Sequence, residues 1–352
     1  MSRRTAAGLL ALVLMGGLLL IGAHEPVDFV TFRPGPTMNV LGEYAGKEII
    51  QVEGHPSYPD DGQLRMVTVY QSSPDRRLNL IEVLSGWADP DVAVVPRSAV
   101  FTKADNDKTV RQESAAQMTS SQDNATAAAL GALDIAYQTE VVITTVAKEG
   151  PADGKLKTGD VVLAIDGKTT ENPDDLVKLI RAAEPGKPIA VTYRRDGQTH
   201  DVTITTEAAE DDPKASRIGV GISVRYVFPF KVDIRLPDSV GGPSAGMMFA
   251  LSIYDVLTPG SITGGKSVAG SGTITPDGVV GPIGGIGQKI PGAERDGSRL
   301  FLVAQENCAE AARAHYDPDK IRLVKVHTLD DAISSVEAWR ANPKADLPGC
   351  SK

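Results

Sequence analysis

Gly241-Gly242-Pro243-Ser244-Ala245-Gly246 is the stretch on which the fold of this chain turns. A strand-like run, Val232 to Leu236, and a loop, Pro237 to Pro243, lead into it, and an apolar helix is expected from about Ser244 to Leu257. The glycines let backbone approach another molecule closely. The first N–H groups of a helix have no partner within it, so they and the positive helix end can meet a developing negative charge. A serine at this position suits a nucleophile, and it equally suits an ordinary helix N-cap. Alone it leaves both readings open.

The decision comes from Gly281-Pro282-Ile283-Gly284-Gly285-Ile286-Gly287-Gln288-Lys289. This segment resembles the lysine segment of the Lon protease family, and Gly241 to Gly246 resembles that family's nucleophile segment. Ser271 to Gly278 lies between them and resembles the family's strand and turn before the lysine. The resemblance implies a Ser-Lys dyad, with Ser244 as nucleophile, Lys289 as general base and Ser271 as a supporting hydroxyl. Gly242, Pro243 and Ala245 would then form the oxyanion loop. A serine hydroxyl attacks poorly until a base removes its proton, and no histidine stands near the motif. Lysine serves only if its pKa falls toward neutrality, and Ile283, Ile286 and Ile290 offer the apolar burial that does this. Where the family has an acid three positions before the nucleophile, this chain has Gly241.

The resemblance extends upstream. Met118, Ser121 and Ala125 fit a Met-x-x-Ser-x-x-x-Ala helix found early in Lon proteolytic domains, and Gly62-x-Leu64 precedes it in a strand-like run, Gly62 to Tyr70. The helix is expected from about Thr109 to Leu133, since no Pro and no Gly interrupts it before Gly131. The implied arrangement places the block from Val141 to Glu207 as an insertion inside the proteolytic fold.

That block is a run of short strands, Val141 to Val146, Val161 to Ile165, Ile189 to Arg194 and His200 to Thr206, with a helix from Asp174 to Ala183. Gly150-Pro151-Ala152, Leu156 to Asp160, Ile165-Asp166-Gly167 and Pro185-Gly186 resemble a bacterial PDZ domain. That resemblance implies a peptide added as a strand along Val141, Val142 and Ile143, facing the helix. The glycine-hydrophobic-glycine loop that captures a free C-terminus is missing before Val141. Glu207 to Lys214 is acidic and reads as a linker.

Outside these blocks, Arg3 and Arg4 precede an uncharged apolar run, Ala6 to Ala23. It reads as an uncleaved signal anchor that sends the body across the membrane, with a removed signal peptide as the alternative. Cys308 and Cys350 are expected to form a disulfide. With a net charge of −9 and no basic stripe, nothing points to a nucleic-acid partner, and five scattered histidines suggest no metal site. Gly260 to Ser267 matches G-x-x-x-x-G-K-S, but its order is helix then strand, the reverse of a nucleotide-binding loop. The chain is thus expected to be α+β: residues 1–23 an anchor, 24–135 leading strands and helix, 136–210 a small barrel-like PDZ domain, 214–341 a Lon-type proteolytic domain and 342–352 a tail. The expected function is ATP-independent endopeptidase action on exported or membrane-associated polypeptides, compatible with a homo-oligomer and needing no cofactor. The alternative is an inert PDZ scaffold.

Overall fold

The computed structural model describes residues 2–59, 61–170 and 172–350. Met1, Ser351 and Lys352, at the ends of the expected anchor and tail, lie outside the described residues. The chain forms two compact units: residues 136–229, and residues 1–135 together with 230–352.

In chain order the first unit opens with helix α1 (Arg3–His24), β1 (Phe29–Asn39), β2 (Ile50–Glu53) and β3 (Gln63–Gln71), followed by α2 (Leu80–Ala88), β4 (Ala93–Pro96) and α3 (Asp107–Ala132). The second unit holds β5 (Gln138–Val146), β6 (Val161–Ile165), α4 (Pro173–Arg181), β7 (Pro188–Arg195), β8 (Gln198–Thr205) and β9 (Val220–Val227). The first unit then resumes with β10 (Lys231–Ile234), α5 (Gly246–Leu257), β11 (Ser267–Ser271), β12 (Thr273–Ile274) and β13 (Val280–Gly281). It finishes with α6 (Ile286–Arg295), β14 (Leu300–Ala304), α7 (Cys308–Ala311), β15 (Arg322–Val326) and α8 (Leu329–Ala341).

The helices begin where local chemistry allows. Asn106 caps α3 in a reciprocal box with Thr109, and Asn172 followed by Pro173 starts α4. α1 is long and apolar enough to cross a membrane by length and composition.

The first unit is built on a six-stranded mixed sheet in the order β15-β14-β11-β3-β1-β4. The first four strands run parallel, and β1 is antiparallel to both β3 and β4. Parallel strands need cover on both faces, and β14 shows it: Leu300 to Ala304 are all buried. On one face Phe301 and Val303 meet Ile286, Ile290 and Ala293 of α6. On the other, α5 approaches so closely that a Cβ on Gly270 would lie 2.7 Å from Met248 Sδ. β10 returns to pair antiparallel with β2, joining the two sequence halves of the unit.

The second unit is an antiparallel sheet, β8-β7-β6-β5-β9, around Val141, Ile143, Val162, Ile165, Leu176, Val191 and Ile204. Glu207 to Lys214 is not an open linker. Glu207 and Ala208 pair with Arg217 and Ser216, Ala209 is buried, and Asp211 bridges to Arg181.

Candidate active site

Ser244 stands in a turn ahead of α5, which begins at Gly246 with Ala245 as its N-cap. The serine is therefore not the capping residue, and no side chain caps this helix. Its Oγ makes no hydrogen bond to a described residue, while its carbonyl accepts from Ser271 Oγ at 2.9 Å and from Gly272 N at 3.0 Å.

The turn is held from two sides. From α3, Ser121 Oγ donates to the Pro243 carbonyl at 3.1 Å, and the Ser114 carbonyl accepts from Gly242 N at 2.9 Å. From the end of β11, Ser271 and Gly272 grip the Ser244 carbonyl, and Met247 N donates back to Gly272 O at 3.1 Å. Gly242 sits at φ +84°, which favours glycine, and a Cβ on Gly241 would stand 2.8 Å from Ser114 Cβ. An acid at position 241 would have no room while α3 lies this close.

Of the three residues expected in the oxyanion and nucleophile loop, only Ala245 has an N–H without a partner among the described residues. The Gly242 N–H is committed to Ser114, and Pro243 has none. The N–H groups of Ser244 and Ala245 carry no hydrogen bond to a described residue.

Lys289 comes from the first turn of α6, after Gly285 in the left-handed region. Its side chain is 3% exposed, and Nζ donates to Ser271 Oγ at 3.0 Å. Burial pulls its pKa from 10.5 down to about 8, against an opposing upward pull from the Glu310 carboxylate. Ser244, Ala245, Lys289 and Glu310 line one cleft of about 810 Å³, together with Met118 and residues 66–71 of β3.

Two contributors have no motif of their own. Asn307 is buried and clamps Ile283 with both ends of its amide, accepting from Ile283 N at 2.8 Å and donating to Ile283 O at 2.9 Å. It thereby holds the glycine-rich segment that delivers Lys289. Glu310 acts through charge alone. A lone Asn or Glu in a helix start is invisible to pattern reading; only the fold brings them 21 to 24 residues back along the chain.

The second unit corrects one expectation. Val141, Val142 and Ile143 cannot accept a peptide strand, because both edges of β5 are occupied. β9 pairs along Gln138 to Val146, and β6 with the Gly159-Asp160 turn bonds the other side at Val141 to Ile143. Val141 and Ile143 face the core at 1% and 0% exposure. β9 is the terminal strand instead, and Gly219-Val220-Gly221-Ile222 at its start is the pattern missing before Val141.

Cys308 and Cys350 are bonded, tying the tail to α7. Among the described residues no cluster of metal-ligating side chains occurs. The Gly260 to Ser267 stretch forms the turn between α5 and β11, with Lys266 Nζ on the Arg340 carbonyl and over the Trp339 ring.

The Lon protease (S16) C-terminal proteolytic domain matches residues 201–336, and a PDZ domain matches residues 108–206. Lon protease of Azospirillum brasilense is 29% identical over 181 residues, 49% of this chain and 22% of that protein. Lon protease 2 of Herpetosiphon aurantiacus is 30% identical over 182 residues, 49% of this chain and 21% of that one. A probable periplasmic DegP-like serine endoprotease of Brucella suis biovar 1 is 30% identical over 81 residues, 23% of this chain and 16% of that protein. The chain thus spans about a fifth of the length of the curated Lon relatives it matches. Among solved structures, the PDZ domain of an SdrC-like protein of Listeria monocytogenes is 20% identical, with TM-score 0.22, and covers 23% of this chain and 85% of that one. The PDZ match starts inside α3, although α3 packs on α5 in the first unit.

Proposed function

We propose that this chain, which joins a Lon-type proteolytic domain to a PDZ domain, is an ATP-independent serine endopeptidase with a Ser244–Lys289 dyad. The observation that carries the reading is the lysine: a buried amine with a pKa near 8, in the same cleft as a serine hydroxyl left without a partner. In its neutral form Lys289 Nζ takes the Ser244 Oγ proton as the oxygen attacks a peptide carbonyl. The free N–H groups of Ser244 and Ala245 meet the oxyanion. Collapse returns the proton to the leaving amine and leaves an acyl-Ser244, which water, deprotonated by Lys289, then hydrolyses.

β11 pairs with β3 only as far as Met66, so the β3 edge from Val67 to Gln71 is open beside the cleft. A substrate segment laid there as a strand would run past Ser244. The PDZ unit, inserted between α3 and β10, is read as holding a second segment of polypeptide along β9. α1 is read as an uncleaved anchor, with the two units on the extracytoplasmic side. ATP independence is supported by Lys266, which is engaged with Arg340 and Trp339 in a turn of the wrong order for phosphate binding.

A fluorophosphonate probe tests this directly. Labelling of full-length protein at Ser244, lost in Ser244→Ala and in Lys289→Arg and unchanged by added ATP, is the expected result. Equal labelling of the Ser244→Ala protein would end the proposal and favour the inert scaffold.

A further inference from the structure

α2 reads Leu80-Ile81-Glu82-Val83-Leu84-Ser85-Gly86-Trp87-Ala88 and is apolar except for one narrow strip, Glu82 and Ser85. Helices of that kind are normally buried, yet only Val83 and Gly86 are here. They press on β4, where a Cβ on Gly86 would lie 2.7 Å from Val94. On the opposite side Leu80 and Ile81 are each 41% exposed, Leu84 51% and Trp87 58%. At about 100° per residue these four share a single stripe of about 120°.

That stripe is continuous with α1. A Cβ on Gly22, in the last turn of α1, would touch Leu80 at 3.8 Å and Ile81 at 3.9 Å. Leu18, Leu20 and Ile21 on α1 are themselves 58% to 69% exposed. One apolar surface therefore runs off the end of the membrane-length helix and along α2.

We propose that α2 lies in the interfacial layer of the bilayer that α1 crosses, with Leu80, Ile81 and Leu84 immersed and Trp87 at headgroup level. The proposal rests on the anchor reading of α1. The occupant is lipid because Leu80 and Ile81 sit against the same turn, Gly22, that the bilayer must surround. The contact is apolar and not electrostatic: the neighbouring Arg76 and Arg77 are paired with Glu82 and Asp28. Neutral phosphatidylcholine should suffice. β4, against which α2 packs, contributes Ala93 and Val95 to the cleft, so this seat fixes the height of the cleft above the membrane.

The test uses full-length protein in phosphatidylcholine vesicles with and without brominated acyl chains. The chain has two tryptophans, and Trp339 is buried, so the emission difference between wild type and Trp87→Phe reports Trp87. The expected result is a blue-shifted Trp87 signal that brominated lipid quenches, insensitive to high salt, and pushed back toward water-like emission by Leu84→Glu without loss of flotation. Water-like, unquenched Trp87 emission in protein that floats with the vesicles would overturn the seat and leave the anchor standing. Protein that fails to float would remove the anchor, and the proposal with it.

Discussion

A lysine 3% exposed is costly to the fold wherever it must carry charge. In the unfolded chain its amine titrates near 10.5, and in the folded protein burial brings it to about 8. Between those values the unfolded state holds more protons, so stability rises with pH across the window from about 8 to about 10.5 and bears the full cost below 8. Lys289→Met should therefore abolish labelling and cleavage yet stabilise the protein at pH 7, by up to about 3 kcal/mol, with the gain fading above pH 8. Denaturant melts of both proteins at pH 7 and pH 10 decide this, and equal midpoints at pH 7 would mean that the amine is not desolvated. The same titration shapes the rate: cleavage should climb as pH passes about 8 and then level off. Glu310 opposes the depression, so Glu310→Gln should move that rising limb to lower pH without removing activity. Ser271→Ala takes away the acceptor of Lys289 Nζ and should weaken cleavage while leaving some.

Among the elements, the strands of the second unit carry the sharpest expectation. A peptide ending in an apolar residue should shift the amide resonances of Val220 to Val227 and leave those of Val141 to Ile143 comparatively still. The reverse pattern would return the groove to β5. The dyad segments are legible in sequence because their chemistry is local: glycines, a serine and a lysine at fixed offsets within a few residues. α3 is legible too, from a run of helix formers with no Pro and no Gly before Gly131. The edge of β5 is not, since a β-branched run says that a strand exists but not which strands flank it. Its neighbour β9 arrives some 80 residues later, beyond a segment that reads as linker. α2 escapes notice for a different reason, because nine residues with only Glu82 and Ser85 to mark a polar side are too few to tell a helix from a strand by period. At the chain's end the tail is tied by Cys308–Cys350 across a separation of 42 residues. Its reduction should lower stability by roughly 3 to 4 kcal/mol, read as a shift in the denaturant midpoint.

For the whole molecule, full-length protein is expected in the membrane fraction and open to protease added from outside the cell. Recovery of a soluble form beginning near His24 would replace the anchor with a cleaved signal. The chain's route through its two units bears on a matter of timing. α3, which grips the Pro243–Ser244 turn, is made before the inserted unit; the turn itself and Lys289 are made after it. The described strands of the second unit pair with one another, so that sheet can close once Pro229 has been synthesised. Roughly 3 to 13 s of further elongation separates that point from the end of α6 at ordinary ribosomal speeds. Throughout that interval the nascent chain holds the second unit while Lys289 is not yet in place beside Ser244, so on the proposed reading it cannot yet cut its neighbours or itself.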